Sequence, residues 1–123
     1  MSASAVLCHV SELTEGAAKG CDPYRVGHDT VIVILRRGQV YVYRDACPHL
    51  DTPMAWRKDA YLNTARDRIV CFAHGALFEI ESGRCVLGPC INQFLQPVPF
   101  NLDAQGYLTI DYVSAALCSR SGQ

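Results

Sequence analysis

Apolar positions in this chain recur in short runs, several alternating with polar residues, and the runs are bounded by turn residues. That is the pattern of strands, not helices. Strands are predicted over 5–10 (AVLCHV), 30–37 (TVIVILRR), 39–44 (QVYVYR), 60–64 (AYLNT), 68–72 (RIVCF), 76–80 (ALFEI), 94–100 (FLQPVPF) and 107–112 (YLTIDY). RRGQ at Gly38 joins the second and third runs, ARD joins 60–64 to 68–72, and DAQG at Gly106 leads into the last strand. Gly83 in ESGR marks a further turn, since glycine accepts the positive φ that tight turns require. The helical candidate is SELTEG, where Ser11 is placed to cap and Glu15 falls one residue beyond capping-box spacing, so a turn is predicted there. The class predicted is an all-β sandwich.

No repeat, linker or low-complexity segment divides the chain, so residues 1–123 read as one domain, with 118–123 (SRSGQ preceded by Cys118) as a flexible tail. At 123 residues the chain is long enough to bury a core without disulfide staples. A net charge of −1 gives no basic surplus for phosphate backbones or anionic lipid, so nucleic acid and membrane are not expected partners. The longest apolar run, TVIVIL, is far short of the roughly 20 residues of a membrane span. MSASAVLCHV has neither the basic start nor the apolar stretch of a leader, which places the expected location in the cytoplasm.

Seven cysteines, an odd number, do not form a secreted disulfide framework and indicate thiols or metal ligation. Two cysteine–histidine pairs lie where strands end. Cys47 and His49 bracket Pro48 in DACPHLDTP, and Cys71 and His74 stand in CFAHG, where Gly75 lets the chain turn tightly. His9 beside Cys8 lies in a strand run, where neighbours point to opposite faces, so that pair is not a shared bite. Two thiolates and two imidazoles suit either a tetrahedral zinc or a two-iron cluster. Zinc loops usually pair ligands of one type. One cysteine followed by one histidine in each loop fits a cluster in which one iron takes both sulfurs and the other both nitrogens.

CPH followed by CFAHG resembles the CxH…CxxHG pattern of Rieske [2Fe-2S] proteins, in particular the small bacterial ferredoxin type. The resemblance extends over roughly residues 5 to 112, through SELTEG, GALFEIESGRCVLGPC and LQPVPFNLDAQGYLTI. It implies a Rieske-type antiparallel β-sandwich with an inserted cluster-binding subdomain at about 45–91. It implies one [2Fe-2S] cluster, with Cys47 and Cys71 on the inner iron and His49 and His74 on the outer. Leu50, Gly75, Gly88 and Pro89 would form the rim that covers the cluster and docks partners.

Between His49 and Cys71 lie 21 residues, more than the commonest spacing in the family. The surplus, DTPMAWRKDAYLNTARD, reads as a loop and hairpin at the rim; Met54 and Trp56 are either partner contacts, with Arg57 and Lys58, or caps on the core. Rieske subunits of respiratory complexes have a disulfide between the cluster loops and a serine and tyrosine that hydrogen-bond the cluster. Here those places hold Thr52, Ala73, Ala76 and Phe78, so no disulfide is expected and the potential is expected near −150 mV, the low end of the Rieske range.

Asp45 and Asp51 read as solvated turn residues, Cys8, Cys21, Cys85, Cys90 and Cys118 as small apolar core residues, and Tyr41 and Tyr43 as neighbours on one face of a strand. No nucleophile with a base, paired carboxylates or phosphate loop suggests bond-making chemistry. The resemblance therefore implies an electron carrier and not an enzyme, passing electrons from an NAD(P)H-dependent flavin reductase to a terminal oxygenase. A redox sensor and a zinc-binding module are the alternatives.

Overall fold

The computed structural model describes residues 4–46, 48, 54–55, 58–72 and 75–111. Among these the strands, in chain order, are β1 (Ser4–His9), β2 (Ala17–Cys21), β3 (Val31–Arg36), β4 (Gln39–Arg44), β5 (Arg68–Cys71), β6 (Ala76–Glu79), β7 (Cys85–Leu87), β8 (Phe100–Leu102) and β9 (Tyr107–Asp111). They pair antiparallel in three three-stranded sheets, ordered β1-β9-β8, β2-β3-β4 and β5-β6-β7. The all-β, antiparallel class is as predicted.

The middle sheet is covered on both faces. Val31 and Val33 of β3 pack with Ala5, Cys8, Leu108 and Ile110 of the first sheet. Their neighbours Ile32 and Ile34 turn the other way, onto Ile69, Phe78 and Cys85 of the third. With no face left to water, β3 has no polar position over Val31–Ile34, whereas a strand with one wet face would alternate. Tyr43 extends the second core, and Tyr41 packs partly buried against the same cluster, so the two tyrosines do share a face. The Tyr43 hydroxyl donates to the Ile80 carbonyl at 2.6 Å, and burial pushes its phenol up to about 12, so it remains a donor across the neutral range. Tyr43→Phe leaves that carbonyl without its partner and is expected to cost about 1–3 kcal/mol, read as a lower urea midpoint with an unchanged slope.

Three predicted elements differ. The run 60–64 is not a strand: a single bridge joins Leu62 to Ile69, although Val70 N–H still bonds the Tyr61 carbonyl at 2.8 Å. Asn63 explains the early stop, because its side-chain oxygen accepts from the Asp67 and Arg68 N–H groups at 3.0 and 3.1 Å and closes a turn instead of a ladder. The run 94–100 keeps only bridges at Phe94 and Pro97 before β8, since Pro97 and Pro99 have no N–H to give a ladder. At SELTEG a 3-10 helix spans Val10–Glu12, capped by His9 and not by Ser11: the imidazole accepts from Ser11 N–H, and Glu12 accepts from His9 N–H at 2.7 Å. Glu15 instead holds the β3–β4 turn, accepting from Arg37 and Gly38 N–H at 2.6 and 3.0 Å, which keeps its carboxyl below the usual range. Strands β2 and β7 had no counterpart in the alternation. The predicted tail, 118–123, lies outside the described residues.

Candidate metal centre

The β5–β6 hairpin sets the first donor. Its register pairs Ile69 with Phe78 and Cys71 with Ala76, so alternation sends all four inward, and none of the four is exposed to solvent. Cys71 is the last residue of β5. The chain then turns at once: Gly75, at φ 70°, donates its N–H to the Cys71 carbonyl at 2.8 Å, which closes the CFAHG loop on the sulfur-bearing residue. A Cβ at 75 would meet nothing, so the demand for glycine is in the backbone angle alone.

The other loop leaves β4 at Asp45. Its carboxylate is buried and accepts from the Met54 N–H at 2.9 Å and from the Tyr61 hydroxyl at 2.7 Å. Burial pushes the Asp45 carboxyl up, against the pull of those two donors. Burial and the carboxylate charge also push the Tyr61 phenol up, so it stays a donor. Met54 in turn accepts, through its carbonyl, from the Phe72 N–H at 2.9 Å. A continuous path of hydrogen bonds thus runs from the residue two before Cys47, through the return of the first loop, to the residue just after Cys71. It holds the bases of the two loops side by side.

Asp45 is therefore not a solvated turn residue. Its parity gave the clue, because it continues the Tyr41, Tyr43 alternation onto the buried face. Met54 is buried, not a surface contact, and its backbone bridges the loops. Lys58 is also occupied: its ammonium donates to the Gly20 carbonyl at 2.8 Å and to Asp29 at 2.9 Å, tying the inserted segment to β2. Cys47, His49, Leu50, Asp51, Thr52, Trp56, Arg57, Ala73 and His74 lie outside the described residues, as does Cys118. Cys8, Cys21, Cys85 and Cys90 are buried in the two cores. Among the described residues no three His, Cys, Asp or Glu side chains gather as a metal site.

The loop after β7 lies over this hairpin. Gly88 has φ 113°, and a Cβ built on it would stand 2.8 Å from the Cα of Ala76, the cross-strand partner of Cys71. Backbone meets backbone there, so no side chain can swing aside. Gly88→Ala is expected to destabilise the protein by more than about 2 kcal/mol, from positive φ and overlap together. Thermal unfolding checks this, with Gly27→Ala as the comparison, since a Cβ at Gly27 would meet open space at a similar φ of 97°.

A sequence model of the Rieske [2Fe-2S] domain matches residues 3–105. The chain belongs to the Rieske [2Fe-2S] domain family. No curated protein sequence matches it. Solved structures add the same fold. The chain is similar to the ferredoxin of carbazole 1,9a-dioxygenase from Nocardioides aromaticivorans IC177, at 19% identity and a TM-score of 0.65 over 89% of this chain and 98% of that one. It is similar to the Sphingomonas yanoikuyae B1 ferredoxin, at 21% identity and 0.62 over 86% and 95%. A third likeness is to a chain in the complex of reduced oxygenase and oxidized ferredoxin in carbazole 1,9a-dioxygenase, at 22% identity and 0.64 over 88% and 92%.

As a Rieske domain the protein carries one [2Fe-2S] cluster, and the residues in place fit such a group. Cys71 offers a thiol excluded from water, the Asp45–Met54–Phe72 path holds the two loop bases together, and Gly88 brings a side-chain-free backbone against the hairpin. No helix among the described residues is long and apolar enough to cross a membrane.

Proposed function

We propose that this protein is a one-electron carrier, and that Cys47, His49, Cys71 and His74 hold its cluster within a subdomain at about 45–91. The bound cluster supplies a site that takes up one electron and gives it back. The hydrogen-bonded path holds the bases of the two loops side by side, and burial keeps water from Cys71. The observation that carries the reading is the hydrogen-bonded path from Asp45 through Met54 to Phe72, which fixes the roots of the CxH and CxxHG segments next to each other.

The proposed partners are a terminal oxygenase, which the oxygenase–ferredoxin complex it resembles supports, and an NAD(P)H-dependent reductase, with the cytoplasm as the proposed location. Leu87 and Ile91, more than half exposed, flank exposed Gly88 and Pro89 and make a small apolar rim. A surface of that size suits brief docking, since redox partners must also separate.

The test is iron and acid-labile sulfide analysis of the purified protein, with the electron paramagnetic resonance spectrum of the dithionite-reduced form. Mixed histidine and cysteine ligation gives an average g value below that of an all-cysteine cluster. Zinc in place of iron, or an all-cysteine spectrum, overturns the ligand set. Rapid, reversible reduction by the reductase of an aromatic-ring dioxygenase system, followed by oxidation by its oxygenase, supports the carrier role; failure with several such pairs, in an iron-loaded protein, favours a sensing role.

A further inference from the structure

We propose that Cys85 and Cys90 form a dithiol that closes to a disulfide across the Gly88–Pro89 loop. Their sulfurs lie 3.2 Å apart, both fully buried. The backbone around them is already set: Cys85 N–H bonds the Gln93 carbonyl at 2.7 Å, Asn92 N–H the Cys85 carbonyl at 2.9 Å, and Gln93 N–H the Cys90 carbonyl at 2.9 Å. A disulfide needs sulfurs about 2.05 Å apart, so closure asks for about 1.2 Å of side-chain movement. Two thiolates sharing a tetrahedral zinc at about 2.3 Å would instead stand about 3.8 Å apart. No third ligand gathers with them among the described residues. The spacing therefore favours a sulfur–sulfur bond over a metal.

The oxidant is a low-molecular-weight disulfide. One cysteine loses its proton and attacks a sulfur of that disulfide, forming a mixed disulfide and releasing one small thiol. The second cysteine loses its proton and attacks the mixed disulfide, releasing the second small thiol and leaving Cys85–Cys90 joined. Two electrons leave the protein sulfurs and two protons end on the released thiols. Access comes through opening of the loop between them, where Leu87, Gly88 and Pro89 are all exposed. Thr52 and Ala73 take the places of the cysteines of the loop-to-loop bridge, which does not bear on this pair. Once closed, the bond ties β7 to the turn beyond Pro89 and fixes the segment whose Gly88 lies on Ala76. That the stiffened segment covers the cluster rests on the proposed ligand set.

The experiment equilibrates intact, iron-loaded protein anaerobically over a series of oxidised to reduced glutathione ratios, then alkylates it under denaturing conditions and maps the labelled peptides. Cys85 and Cys90 are expected to lose label together and to regain it with dithiothreitol. In Cys90→Ser, Cys85 keeps its label or carries one glutathione. In the oxidised protein, amide exchange over residues 86–90 is expected to slow by roughly tenfold or more. Labels retained on both at every ratio, or either cysteine joined to a different one, overturn the proposal. Iron content of the same samples reports separately on the cluster, so failure of the thiol couple and failure of the ligand set are told apart.

Discussion

Cys71→Ser is expected to purify colourless, with iron per chain reduced by more than about 10-fold. Changing groups that only orient a ligand already costs about 10–100-fold in metal affinity, and on the proposed ligand set this change removes a sulfur donor itself. The buried end of β5 leaves no room for a substitute. Cys71 faces the interior between Ile69, Ala76 and Phe78, with no exposure, so water does not replace it there. Cys85→Ser is the informative comparison: Cys85 lies in the same core, across from Phe78, yet on the proposed ligand set its loss leaves the iron in place. Iron and sulfide analysis separates the two. Equal iron in Cys71→Ser and the parent protein would exclude Cys71 as a ligand, and loss in both would point to general disruption of the third sheet.

Adding hydroxyls at Ala76 and Phe78 is expected to raise the one-electron potential from around −150 mV by on the order of 130 mV. The register makes these positions specific. Ala76 pairs directly with Cys71, Phe78 pairs with Ile69 two residues earlier, and all four side chains share the inward face. A serine and a tyrosine there would aim hydroxyl donors at the face that holds Cys71. A hydrogen bond to a charged acceptor contributes about 1.5–3 kcal/mol. If the two together favour the more negative, reduced cluster by roughly 3 kcal/mol, about 59 mV per tenfold gives the shift stated. Protein-film voltammetry of the parent and of the Ala76→Ser, Phe78→Tyr double variant measures it. A parent potential above zero, or an unmoved potential in an iron-loaded double variant, would mean that these two positions do not set it.

The candidate ligands were legible because they stand in a compact pattern, two short spacings with proline and glycine beside them. What brings the loops together was not. Asp45, Met54, Tyr61 and Phe72 act across up to 27 residues of chain, counted from Asp45 to Phe72, and Met54 and Phe72 join through backbone atoms that any residue type supplies. The strand pattern was readable where β-branched and aromatic residues alternate, as in β4, and along the unbroken apolar run of β3. It failed at β2, Ala17–Cys21, whose AAKGC has little side chain to show a period. It overran at 94–100, where Pro97 and Pro99 limit pairing to isolated bridges at Phe94 and Pro97. The His9 cap was missed because imidazole stands outside the usual capping set, although here it also reaches the Gln105 carbonyl at 2.8 Å.

Val31–Ile34 belongs at once to both interiors, two side chains to each. Neither interior can come apart while the other survives intact, for loosening either strips one side of the same four residues. Heating should consequently produce a single sharp melt, with calorimetric and van 't Hoff enthalpies equal. Damage to the third sheet is then felt in the first, where the first and last strands meet.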